Sequence, residues 1–206
     1  MAPWTPCDEA MARDGLSCTD KARALRVARC LLWSRASNST DPARGIEMPS
    51  GTEFIKHEFD EAIAIQQSIV DSTTKLTSSH PVAAVKRQLK TDLTVDQRHL
   101  KQLQQFGKPF GAAGKREEVA AALGALADET AAKAGSEESE AYEAHAVLLN
   151  LKRKQQDSSD ALIKIARDRK DTELRDAATK MKREIKASAD GLGKSLAEFA
   201  VRIAAA

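Results

Sequence analysis

The sequence predicts an all-α protein, an antiparallel four-helix bundle with a short crossover helix between its second and third long helices. Three observations carry this expectation. Aromatic residues make up only 4% of the 206 residues, and from about residue 50 onward Ala, Leu, Lys, Glu, Gln and Asp dominate, the composition of long helices rather than of strands. Apolar residues in that region recur in steps of four and three, which sets them on one stripe of a helix. The links between the first and second and between the third and fourth stripes are short, and the middle connection is longer.

Residues 1–47 read as a flexible or loosely attached N-terminal extension, and 48–206 as the bundle domain. Cys7, Cys18, Cys30, Trp4 and Trp33 all lie in the first part. Its basic residues are nearly all arginine (Arg13, Arg23, Arg26, Arg29, Arg35, Arg44) against the single Lys21, whereas lysine outnumbers arginine beyond residue 47. Asn38 to Gly45 reads as a linker, and Met48 as an alternative start. Asp8, Glu9, Asp14 and Asp20 argue against a transit peptide, which is acid-poor. Cysteine spacings of eleven and twelve residues match no zinc pattern.

The first helix is expected from Ser50, which with Glu53 has the form of a capping box, to about Ser78, on the stripe Ile55, Phe59, Ala62, Gln66, Ile69, Thr73 and Leu76. Pro81 is read as a first-turn residue of the second helix, 81–106, whose stripe is Val85, Leu89, Asp92, Asp96, His99, Leu103 and Phe106. A glycine-containing loop, Gly107 to Gly114, leads to a crossover helix over Arg116 to Lys133 with Val119, Leu123 and Leu126 facing one way. Ser136 opens the third long helix, with stripe Glu140 or Ala141, Ala144, Leu148, Leu151, Gln155, Ser158, Leu162 and Ile165. A tight turn at Asp168 to Asp171 starts the fourth, on Leu174, Ala178, Met181, Ile185, Ser188 and Leu192, running to about Ile203.

Each stripe carries polar residues near mid-height: Gln66, then Asp96 and His99, then Gln155 and Ser158, then Ser188. Their recurrence on every helix predicts one buried or semi-buried polar layer. A carboxylate and an imidazole one turn apart on a buried stripe, Asp96 and His99, have two readings: a metal site within the bundle, or a hydrogen-bonded polar pair. His57, His80 and His145 read as solvated residues at helix edges, and Tyr142 as a packing residue.

Lys and Arg total 32 against 30 Asp and Glu, a formal net charge of +2, with both signs mixed along the chain. No basic block tracks a nucleic-acid backbone, so nucleic acid is not an expected partner. No apolar run approaches the roughly 20 residues of a transmembrane helix, and Cys30 to Trp33 is too short for a signal-peptide core, so a cytoplasmic location is expected. Leu149, Ile163 and Val201 read as an exposed apolar face suited to a homodimer.

Helix, helix, crossover, helix, helix over Glu53 to about Ala200 resembles the ferritin-like superfamily, in particular its small bacterial stress-associated members. The resemblance implies iron or another divalent metal, held by a Glu from each of two helices and a Glu-x-x-His pair from each of the other two. Carried over, Asp96 and His99 keep the acid-x-x-His spacing, Glu140 or Glu143 supplies an acid, and Glu184 keeps an acid whose histidine is replaced by Ala187. Gln66 stands where a carboxylate belongs. The resemblance thus leaves three states open: a di-iron site, a single ion on Asp96, His99 and one of Glu140, Glu143 or Glu184, and, preferred, a polar pair with no metal.

Two functions follow. The first is a ferritin-like, stress-associated bundle with a partial or lost metal site, binding or protecting rather than oxidising. The alternative is an amphipathic helical interaction or surface-coating protein, supported by charge pairs such as Glu184 with Lys180 and Asp171 with Arg175. No Ser/His/Asp or Cys/His constellation points to a conventional enzyme.

Overall fold

The architecture is all-α. A computed structural model describes residues 51–115 and 118–205, and 90% of it is helical, with no strand among the described residues. The expectations for 1–47, for the Ser50 cap and for Arg116 fall outside those residues. The helices are α1 (Gly51–Ser79), α2 (Ala83–Gly107), α3 (Glu118–Lys133), α4 (Glu138–Asp168) and α5 (Thr172–Ala204), with a 3-10 turn at Lys108–Phe110. No helix among them is long and apolar enough to cross a membrane.

The ends follow local chemistry. Pro81 lies outside α2 rather than in its first turn, because the N-cap is Val82; the Val82 amide donates to His80 Nδ1 at 3.1 Å. Ser136 closes α3 rather than opening α4, its hydroxyl donating to the Lys133 carbonyl at 2.7 Å, and Glu137 is the N-cap of α4. Between α4 and α5, Lys170 adopts φ 57°. Asp171 then caps α5, accepting from the Leu174 amide at 2.9 Å, instead of pairing with Arg175.

Helices α1 and α2 pack together, as do α4 and α5, and α1 packs on α4. Contacts step down α1 as they step up α2: Lys86 reaches the Ser78 carbonyl, Gln66 reaches the Asp96 carbonyl, and Gly107 lies against Phe59. Helix α3 covers both α1 and α4, so these two are buried over wide arcs, while α2 and α5 bury single narrow stripes.

That asymmetry corrects two expectations. Leu149 and Ile163 are core residues, because α4 is enclosed by three helices; of the expected dimer face only Val201 is exposed. On α3, Val119 and Leu126 point outward, 55% and 46% exposed. The buried face is instead the small-residue line Ala120, Gly124, Ala127 and Ala131, whose lack of bulk lets the helix lie close on its neighbours.

The apolar core is in two clusters. One holds Ile65, Ile69, Leu76, Val85, Leu89, Leu148, Leu151 and Leu192; the other holds Phe59, Ile63, Leu103, Leu162, Leu174, Met181 and Ile185. On α2, α4 and α5 the change from one to the other falls at polar residues, Asp96 with His99, Lys152 with Gln155, and Ser188, whereas on α1 it falls between Ile63 and Ala64, just ahead of Gln66.

Candidate functional site

The polar layer is built around a buried ion pair. Lys152 on α4 is 0% exposed and Asp96 on α2 is 2% exposed. The Lys152 ammonium donates to both carboxylate oxygens, at 2.9 Å to Oδ1 and 2.7 Å to Oδ2. Gln66 on α1 donates from Nε2 to the Asp96 carbonyl at 3.1 Å, so three helices are tied at one level. Charge-assisted bonds of this kind are what allow an ionised group to remain in a core.

A second group bridges α2 and α5. His99 Nε2 lies 2.8 Å from Glu184 Oε2, and Arg98 Nη2 lies 2.7 Å from the same oxygen. Burial alone would push the Glu184 carboxyl up, but the His99 and Arg98 hydrogen bonds outweigh it and hold the group below the usual carboxylate range. Burial dominates at His99 and lowers its imidazole, against the upward pull of Glu184 and Asp96. His99 is therefore neutral near pH 7. Glu184 can only accept, so Nε2 carries the proton that faces it, and Nδ1 has no hydrogen-bond partner among the described residues. Glu184 thus pairs across helices, not with Lys180. One turn from Asp96, Asp92 Oδ2 accepts from the Ser188 hydroxyl of α5 at 2.6 Å.

Glu140 and Glu143 do not join this layer. Helical rise puts them roughly 18 and 14 Å along α4 from Lys152; Glu140 is half-buried and Glu143 exposed. Among the described residues no group of three or more His, Cys, Asp or Glu is placed to hold a metal ion. The donor set does not fit iron: both Asp96 oxygens are engaged by an ammonium, whose positive charge lies where a cation would have to bind.

Two further polar sites escaped the sequence reading. His80 and His145 are buried, not solvated, with ring centroids 5.4 Å apart and Phe199 against His80 at 5.0 Å. His145 Nε2 is 3.1 Å from the Leu192 carbonyl. Burial, then the neighbouring His145 and Lys86, push the His80 imidazole down to about 4; burial also lowers His145. Asp60, fully buried on α1, accepts from the backbone amides of Ala113, Gly114 and Lys115 at 2.7, 2.8 and 3.2 Å and from the Lys56 ammonium. It fastens the loop ahead of α3, where Gly114 has φ 74° and a Cβ would meet Ile63 at 2.5 Å.

Helical spacing contained a signal for each buried ionisable group on α4. Ala141, His145, Leu148, Lys152, Gln155, Ser159 and Leu162 also run in steps of four and three, parallel to the chosen stripe and equally buried. Tyr142 does pack, its ring 6.3 Å from Phe199. Compared with known proteins, the sequence matches no family model and no curated protein.

Proposed function

We propose that the chain is a ferritin-like, antiparallel four-helix bundle of the stress-associated bacterial kind whose metal centre has given way to an internal ammonium–carboxylate pair, so that it works by binding rather than by oxidising iron. The observation that carries the reading is the bidentate Lys152–Asp96 pair at the level where the first acid-x-x-His motif lies. One ammonium supplies a single fixed positive charge and needs no exchangeable ligand positions. It therefore neutralises Asp96 and fixes the register of α2 on α4 without redox chemistry. The short links and the reversed contact order of α1 and α2 support the bundle topology. A lipid-coating role is less well supported, since opening the helices would bring Lys152 and Asp96 to an apolar surface.

Elemental analysis of the full chain, produced with iron, manganese and zinc in the medium, tests this. The expected result is substoichiometric metal, the same in wild type and in an Asp96→Ala/His99→Ala variant. One or two ions per chain that disappear in the variant would overturn the proposal and restore a working metal centre.

A further inference from the structure

Helices α2 and α5 meet less closely than the other neighbouring long helices, and two clefts open along their seam. The one beside the polar layer, about 310 Å³, lies between Asp92, Val95, Glu184 and Ser188. The second, about 530 Å³, lies where α2 begins, between Val82 and Val85 on one side and Phe199 on the other, with Lys194, Glu198 and Arg202 at its rim. The Phe199 ring also packs on His80, which is 0% exposed, with the two centroids 5.0 Å apart.

His80 joins the end of α1 to the start of α2. Its own amide donates to the Leu76 carbonyl at 3.0 Å, and its Nδ1 accepts from the Val82 amide at 3.1 Å, one of the donors that the first turn of a helix leaves without a backbone partner. Since Nδ1 accepts, the neutral ring carries its proton on Nε2, which has no hydrogen-bond partner among the described residues. A second proton can enter only at Nδ1, where it would meet the Val82 N–H head-on. The fold thus supplies a donor at the atom where an imidazolium needs an acceptor.

The charged and titratable groups around the ring give an imidazolium no compensation. Lys86 on α2 is tied to the Ser78 carbonyl at 2.7 Å, and Arg202 on α5 to Glu138 on α4; both cations act against a charge on His80, as does His145 on α4. Tyr142 on α4 packs behind Phe199, Lys194 and Glu198 stand at the cleft rim, and Lys75 of α1 pairs with Asp128 of α3 at the surface. The turn that carries the ring is free to yield, because Ser78 and Pro81 on either side of it are already exposed.

We propose that His80 is an acid-released latch: once protonated, the ring leaves its pocket, drops the Val82 amide and swings the turn at residues 78–82 outward, opening the second cleft and baring Val82, Val85 and Phe199. The inference stands on the geometry of this turn and holds whether or not the ferritin-like reading does.

Hydrogen–deuterium exchange on the full chain at pH 7 and pH 4.5, expressed as protection factors, tests it. The ring titrates at about 4 when latched and near 6.5 when released. Release is therefore favoured roughly fiftyfold at pH 4.5, and the amides of His80, Val82 and Lys86 should lose protection on that scale. Amides around Leu103 and Leu162, in the other core cluster, should keep theirs. His80→Asn places a side-chain oxygen that does not titrate where Nδ1 stands, and should hold the turn equally well at both pH values. Nitrogen-15 spectra of the wild-type ring give a reading that needs no variant: Nδ1 should be unprotonated at pH 7 and gain its proton in step with the loss of protection at Val82. Equal protection of the turn at pH 7 and pH 4.5, a loss in His80→Asn as large as in wild type, a loss shared equally by the whole bundle, or a proton already on Nδ1 at pH 7 would overturn the proposal.

Discussion

Replacing Lys152 with Met removes the ammonium and keeps most of the volume of the side chain. In the wild type the ammonium is fully buried and donates twice to Asp96, itself 2% exposed. The remaining carboxylate retains no cationic partner there and is almost closed off from water. Breaking a buried pair in this way costs about 3–5 kcal/mol, and for a domain of this size each kcal/mol moves the melting temperature by roughly 2–4 °C. The expected shift is therefore about 6–20 °C downward, read by thermal melting followed by far-ultraviolet circular dichroism. Acidification, which neutralises carboxylates, should return part of the loss. The double variant Lys152→Met/Asp96→Leu should recover most of it, because two apolar side chains leave no stranded charge. A shift of less than about 2 °C in Lys152→Met would refute the premise of a dry interior. So would a double variant whose loss equals the sum of the single losses, since the two residues would then be uncoupled.

The buried histidines make stability pH-dependent with a definite sign. His80 is held near 4 in the fold and titrates near 6.5 when unfolded, so the unfolded chain binds the extra proton between those values. The contribution is intact above pH ~6.5 and is lost as pH falls toward 4; His80→Phe should flatten that part of the denaturant-midpoint profile, with His99 and His145 leaving a residual slope. An unchanged profile would show that His80 is accessible to solvent in the fold. The small-residue face of α3 gives a second comparison. Ala127→Leu, at a site 1% exposed, should cost about 1–3 kcal/mol by overpacking, while Leu126→Gln on the outer face should stay within about 0.5 kcal/mol. Equal effects in urea melts would contradict the assigned face.

Helix positions were legible because amphipathic spacing is a direct record of which face loses water. Every residue of the α1 stripe from Ile55 to Leu76, including Gln66 and Thr73, is buried. The layer Gln66, Asp96, His99, Gln155 and Ser158 was legible for the same reason, as polar interruptions of otherwise apolar stripes. Lys152 was not, since a lysine beside a stripe is ordinarily solvated and its burial depends on Asp96, 56 residues away in sequence. Leu149 and Ile163 looked exposed because periodicity assigns one buried face per helix. How many neighbours a helix has is a property of the packing, and α4 has three.

The same asymmetry accounts for the cleft beside the polar layer. Helices α2 and α5 turn toward each other, at mid-height, the very residues that have polar partners: Asp92 with Ser188, and Arg98 and His99 with Glu184. Hydrogen bonds fix distance and direction but bring in little apolar area, so the seam gains its cohesion from Leu89 and Leu192 on one side and Leu103 and Ile185 on the other. Between those closures the helices are held apart by specific bonds, leaving a chamber whose walls are fixed rather than collapsed. Replacing the Asp92–Ser188 and His99–Glu184 bridges with leucines should therefore close the seam. Such a variant would gain stability from buried apolar surface, read as a higher urea midpoint, and an unchanged or lower midpoint would show that the polar bridges hold the seam better than packing can.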